Sequence, residues 1–319
     1  MRLLSSRTEV NHGPQTGLGK RYIHSVMSIL TRSRSNPLRS IARRAWRAAS
    51  IRSDVRIEQL TRQIAVLEEL THVSDQISRV QPRFQAALSP EQDPHLALER
   101  IGSEFDGGYV LPRALIQSSA GVVSIGIGTN NDADIALASH GKTIHAWDHT
   151  VQSLPRNHDL ITFHAFGVGT NNTSTLKTLE CITKESFGDS ACNLILLMDV
   201  EGSEWEVLSM VSDVTLSRYS VLGLELHNLG DSLLPQNKIL DVLEHLRYQF
   251  VPVVVHANNH GTAWASGGFV LPDILEVTYV RSDLLSQDTN FGNCPENLIA
   301  RCCPDLPEVH FNWGSQCSP

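Results

Sequence analysis

No apolar run in the 319-residue chain approaches the eighteen or so residues that a membrane helix requires, so a helical span is not expected and a soluble protein is. A positively charged start followed by a long apolar stretch and a small-residue cleavage site is also missing. That argues against secretion by a signal peptide and leaves a cytoplasmic address as the expectation. No Cys-x-x-Cys pair is followed by a second at zinc-finger spacing: Cys181 and Cys192 lie in the body of the chain, and Cys294, Cys302, Cys303 and Cys317 near its end. Free thiols are expected, with a disulfide or metal clip near the end as the alternative. A Gly-x-Ser-x-Gly elbow does not occur, which disfavours a serine hydrolase. Acids are nearly missing from residues 1–53, where eleven Lys/Arg face Glu9 alone.

What is present sorts into segments. Residues 1–53 read as a basic leader, either a solvated tail or an organelle transit peptide. The rest carries 15 bases against 33 acids, a balance that does not suit nucleic acid and favours a small molecule or glycan as target. Over 54–96, Ile57, Leu60, Ile64, Leu67 and Leu70 recur at spacings of three and four, which predicts an amphipathic helix over 57–77. The heptad fails at Thr71 and Ser74, so packing on the same chain is the first reading and self-association through this helix the second. The stretch 89–94, with Pro90 and Pro94, reads as a linker. A catalytic domain is expected over 97–285 and a tail over 286–319.

Within 97–285, apolar runs predict strands over 121–128, 143–148, 160–168, 194–200, 221–227, 250–256 and 274–280. Helices are predicted near 131–139, 173–180, 203–211 and 235–249. Runs as continuously apolar as 194–200 suit strands covered on both faces, hence an α/β fold with a mostly parallel seven-stranded sheet. No helix is evident in 257–272, so the last strand is expected to run antiparallel. That arrangement belongs to Rossmann-like methyltransferases rather than to nicotinamide dehydrogenases.

The first strand runs into Ser124-Ile-Gly126-Ile-Gly128-Thr129-Asn130-Asn131, and the second ends in Asp148, twenty-two residues after Gly126. Glycines that admit a ligand to the backbone, followed by an acid that accepts from ribose hydroxyls, are the parts of a nucleoside site beyond the carboxyl ends of parallel strands. A dinucleotide fingerprint wants a third glycine at 131, where Asn131 stands. S-adenosylmethionine has no phosphate and carries a sulfonium and an amino-acid head, and a wider polar loop with acids nearby suits it. The fourth strand ends in Asp199-Val-Glu201-Gly202-Ser-Glu204-Trp205-Glu206. Glu204 and Glu206 sit where a first helical turn favours acids. Asp199 closes an otherwise apolar strand, where a carboxylate needs a partner.

The stretch Asp199-Val-Glu201-Gly202-Ser-Glu204 resembles the Asp-(Ile/Val)-Glu-Gly-x-Glu signature of the FkbM-type methyltransferases, mainly O-methyltransferases of sugars and natural products. Asp106-Gly107-Gly108-Tyr109-Val110 is similar to an Asp-Gly-Gly-Tyr-Val segment of one branch, and Phe166-Gly167-Val168-Gly169 to the turn after the third strand. Leu224-Glu225-Leu226-His227, His256-Ala-Asn258-Asn259 and Leu275-Glu276-Val277-Thr278-Tyr279 resemble its closing strands. The likeness spans about 102–281. Many members carry an acid before the first glycine and Gly-x-Asn after it; here Ser124 and Gly128-Thr129-Asn130 imply different contacts to the methionine moiety.

Resemblance and strand geometry together imply a class I Rossmann-like methyltransferase domain that binds S-adenosylmethionine through Gly126, Gly128 and Asp148, with Asp106, Gly107 and Gly167 as secondary contacts. Asp199, Glu201 and His227 form the expected catalytic group. His227 is either the general base for an acceptor hydroxyl or a satisfied core histidine. A divalent ion held by Asp199, Glu201 and His227 is the alternative way to acidify that hydroxyl. His256 and His260 are not expected on a helix, so their spacing carries no zinc-site meaning. The rival readings are an inactive binding module on the same sheet and, behind it, a nicotinamide dehydrogenase. A sugar hydroxyl as acceptor follows from the resemblance alone.

Overall fold

Alternation of apolar side chains between two cores shows how the central sheet is buried. In the strand Leu194–Met198 every residue is buried; Leu194, Leu196 and Met198 pack into one core, Ile195 and Leu197 into the other. Val123 and Ile125 of the strand Gly121–Ile125 join the first core and Val122 the second. The computed structural model describes residues 79–230, 236–266, 269–292 and 295–311, all within one compact unit, Val73–Pro319. The basic leader, the predicted helix 57–77, Cys294 and Cys317 lie outside the described residues.

Numbered in chain order, the strands of the main sheet are β1 (Gly121–Ile125), β2 (Ile144–Trp147), β3 (Ile161–His164), β4 (Leu194–Met198), β5 (Tyr219–Leu226), β6 (Phe250–Ala257) and β7 (Leu275–Arg281). Their order is β3-β2-β1-β4-β5-β7-β6. Neighbours among β1–β5 pair parallel, and β7 runs antiparallel to both β5 and β6, as expected for the last strand. The helices Leu179–Phe187, Glu204–Met210 and Gln236–Leu246 supply side chains to the first core. On the other face lie the helix Asp132–Ser139 and a hairpin, Leu98–Gly102 with Gly108–Pro112, that contributes Ile101 and Leu111. Among the described residues no helix is long and apolar enough to cross a membrane.

Several sequence expectations are corrected here. The helix expected near 173–180 begins only at Leu179, because the Thr173 hydroxyl captures the amides of Thr175 and Leu176 in a turn and Thr178 caps the helix through Cys181. Leu176–Lys177 is instead a short strand beside Gly167–Val168. The run 160–168 breaks after His164, where Phe166 N turns back onto the His164 carbonyl (2.8 Å). The stretch 257–272 holds a hairpin, Ala263–Ser266 with Phe269–Pro272. The segment 89–94 is fastened rather than free: Glu91–Gln92 pairs with Asn290–Phe291, and Asp93 accepts from Ser286 N (2.7 Å) and Ser286 Oγ (3.0 Å). Just before it, helical residues 79–88 bury Phe84 and Leu88 in the first core.

Gly126 shows how tightly the strand ends cross. Its φ is +80°, and a Cβ there would stand 1.6 Å from the Asp199 carbonyl oxygen. Gly128 also has a positive φ, +53°, but its Cβ would meet nothing within 4 Å. Gly126→Ala therefore suffers backbone strain and a main-chain clash, each costing about 1–3 kcal/mol, whereas Gly128→Ala suffers the strain alone. In urea denaturation the midpoint of Gly126→Ala should fall well below that of Gly128→Ala. Equal midpoints would contradict the close crossing.

Candidate functional site

The strand order reverses at β1, between β2 and β4, which is where parallel α/β sheets open a crevice at the carboxyl ends of their strands. A cavity of about 380 Å³ lies there, within the size range of ligand sites. It is lined by Asp106, Gly107, Gly126, Gly128, Asp148, Gly167, Asp199 and Glu201, so every residue expected at the site from the sequence reaches it except His227. Two further acids matter to its charge. Asp134, 2% exposed on the helix Asp132–Ser139, also lines it; burial pushes its carboxyl up to about 6, against a hydrogen bond with Ser124. Asp132 and Asp134 occupy the first turn of that helix, where a pyrophosphate would have to sit. Among the lining residues there are five carboxylates and no lysine or arginine.

Asp148 organises the glycine loop. Its Oδ2 accepts from the amides of Ile127 (2.8 Å) and Gly128 (2.9 Å), its Oδ1 from Thr150 N (2.6 Å) and Thr150 Oγ1 (2.7 Å). Burial alone would raise its pKa, but the bonds from Gly128, Thr150 and Ile127 outweigh it and hold the carboxylate below its ordinary range. These four bonds fill the acceptor sites of the carboxylate. A ribose hydroxyl would reach it by displacing one donor, and the Thr150 hydroxyl is the one free to rotate.

The turn after β4 is built around Glu204, which in sequence sits where a first helical turn favours acids. Glu204 is fully buried, and its Oε1 accepts from Val200 N (3.1 Å), Gly202 N (3.2 Å) and His227 Nδ1 (2.9 Å). The amides converge because Glu201 and Gly202 both take positive φ, +54° and +103°. Trp205 Nε1 donates to the His227 carbonyl (2.6 Å), tying the turn to the end of β5. With Nδ1 held by Glu204, His227 presents Nε2 to Glu225 (3.4 Å), Glu201 (3.5 Å) and Asp199 (3.8 Å).

A ring of carboxylates decides the charge of that imidazole. Burial lowers the His227 pKa, but the hydrogen bonds and charges of Glu204 and Glu225 prevail and raise it to about 11. With its pKa raised and its ring outside the cavity lining, His227 fits the satisfied core histidine of the two sequence readings better than the general base. Asp199 shows the opposite response: burial foremost, with Glu225, Glu201 and Glu204, raises its pKa to about 8 although His227 pulls it down. Its Oδ1 has no hydrogen-bond partner among the described residues.

The metal grouping also changes. The Glu201 side chain is 86% exposed, and the atoms close enough to share an ion belong to Asp199, Glu225 and His227. Beyond them, Asn258 donates to Glu225 (2.8 Å) and Asp106 (3.3 Å), linking the site to the ends of β6 and β5. Glu225 and Glu276 were legible by the signal that identified Asp199, a lone acid in an apolar strand. His256 ends buried while His260 is exposed, so the two do not act as a pair.

No family model and no curated protein matches this chain. Among solved structures, one from Streptococcus thermophilus that carries the provisional name hemolysin is 12% identical; the match covers 57% of this chain and 74% of that one with a TM-score of 0.33. A likeness at that score carries no argument, so the functional reading rests on the site itself.

Proposed function

We propose that this chain is an S-adenosylmethionine-dependent methyltransferase that methylates a hydroxyl of a glycan or other small molecule. The observation that carries the reading is the cavity lined by five carboxylates and no lysine or arginine. Such a lining suits a ligand bearing a sulfonium and an ammonium and disfavours a pyrophosphate. The sheet supports the class I methyltransferase fold, since it departs from the dinucleotide order 3-2-1-4-5-6 by an antiparallel β7 between β5 and β6. The stretch 199–204, which resembles the FkbM-type signature, contributes Asp199, Val200, Glu201 and Ser203 to the lining of this cavity.

The residues would divide the work as follows. Gly126 and Gly128 let the nucleoside approach the backbone, Asp148 and Thr150 address the ribose, and the acids Asp106 and Asp134 face the cationic portion. When bound, the cofactor supplies an electrophilic methyl group on sulfur. Asp199, which follows β4, lines the cavity and has a pKa raised to about 8, accepts the proton of the acceptor hydroxyl. His227, held protonated by Glu204, keeps Asp199 from rising further.

Calorimetric titration of the full chain with S-adenosylmethionine tests the cofactor, and reduced nicotinamide cofactor serves as the comparison. Saturable binding of the first and none of the second is expected; the reverse would establish the dehydrogenase reading. Methyl-labelled cofactor, incubated with an extract fractionated into glycans, lipids, proteins and small molecules, then identifies the acceptor. Label confined to protein would defeat the glycan or small-molecule assignment. Binding without any labelling would leave the inactive module.

A further inference from the structure

We propose that His256, Glu276 and Cys302 form a second site, a metal centre for a borderline divalent ion of the zinc class. His256 ends β6 and faces Glu276 across the β6–β7 pairing. Cys302 reaches the same point from the segment that follows the short 3₁₀ turn Glu296–Leu298, and it is 2% exposed. His256 Nδ1 lies 2.9 Å from Glu276 Oε2, Cys302 Sγ lies 3.1 Å from Glu276 Oε1, and one ligand atom from each of the three lies within 4.8 Å of the others. Imidazole nitrogen, thiolate and carboxylate at about 2.0–2.3 Å from a tetrahedral ion stand roughly 3.5 Å apart, so a small opening of these contacts admits it.

Two features separate this group from an ordinary hydrogen-bonded knot. The other ring nitrogen, His256 Nε2, is held by Glu308 Oε1 at 2.9 Å. A carboxylate behind a ligating histidine fixes the tautomer and the ring orientation that a metal needs. A cavity of about 10 Å³ adjoins His256 and Glu276, room for about one water. Three protein ligands and one water complete a four-coordinate open site. On binding, the Cys302 thiol and the His256 Nδ1–H give their protons to solvent, while Nε2–H stays on Glu308, and the ion exchanges aqua ligands for sulfur, nitrogen and oxygen; no electron is transferred. Burial and Glu276 raise the thiol pKa, a penalty that a divalent charge between the two reverses. The consequence for the fold is a clasp that holds the 296–308 segment on the sheet edge.

Cobalt(II) titration of chelator-treated full-length protein tests the site. One equivalent should produce a thiolate-to-cobalt charge-transfer band that zinc then displaces. The band should vanish in Cys302→Ser and persist in Cys303→Ser, whose position is adjacent in sequence. Glu308→Gln should retain the band and weaken zinc binding by about 10–100-fold. Ligand-field bands without a thiolate band would place the ion on a thiol-free group, Asp199 with Glu225 and His227 or Asp106 with Glu225 and Glu276, and overturn the proposal. Survival of the band in Cys302→Ser, or no binding at all, would overturn it equally.

Discussion

Asp199→Asn is expected to abolish methyl transfer while leaving S-adenosylmethionine affinity unchanged and making the protein more stable at neutral pH. Loss of a positioned general base lowers rate by about 10²–10⁴-fold. The gain in stability follows from linkage. The folded-state pKa of Asp199, about 8, lies above the value near 3.9 of an unfolded aspartate, so its contribution is present below about pH 4 and is lost as pH rises through 8. Asparagine keeps the shape and has no proton to lose, so the advantage of the variant should open between these pH values. Label incorporation into the acceptor fraction measures the first effect and thermal denaturation at pH 4 and pH 8 the second. In the wild type, incorporation should climb with pH through a limb near 8. A fall in cofactor affinity without a fall in the labelling rate at saturation would make Asp199 a contact for the cation rather than the base.

How much of this was readable beforehand depends on what each residue's neighbours are. The strands were legible because a strand buried on both faces leaves a continuous apolar run, as in Leu194–Met198. Gly126, Asp148 and Asp199 were legible because each interrupts such a run at its carboxyl end. The hairpin 98–112 was not, since its burial depends on the distant helix Asp132–Ser139 and leaves no period of its own. The inward role of Glu204 was hidden for a related reason. An acid in a first helical turn is explained locally, and only the fold shows that its carboxylate points inward at His227 from 23 residues away. The basicity of His227 was equally invisible, because it comes from Glu204 and Glu225, brought to the imidazole from the turn after β4 and from β5.

Glu204→Ala is the substitution expected to cost the most stability. It removes one oxygen that accepts three hydrogen bonds and leaves Val200 N, Gly202 N and the buried imidazolium of His227 without their acceptor. Breaking a buried ion pair by deleting one partner costs about 3–5 kcal/mol. At about 2–4 °C per kcal/mol for a domain of this size, the melting temperature should drop by roughly 6–20 °C. Glu204→Gln should fall between variant and wild type, because its carbonyl still accepts from the two amides while the charge is gone. The pH dependence separates this from a simple cavity. The His227 pKa of about 11 exceeds the value near 6.5 of an unfolded histidine, so its contribution is complete below pH 6.5 and lost as pH rises through 11. The deficit of Glu204→Ala should accordingly be largest below pH 6.5 and shrink in alkali, whereas a cavity penalty would be flat. Imidazole titration by NMR should show His227 falling well below 11 in the variant. A change within the ±0.5 kcal/mol of an ordinary surface substitution would mean that the turn at 199–204 is held by its backbone alone.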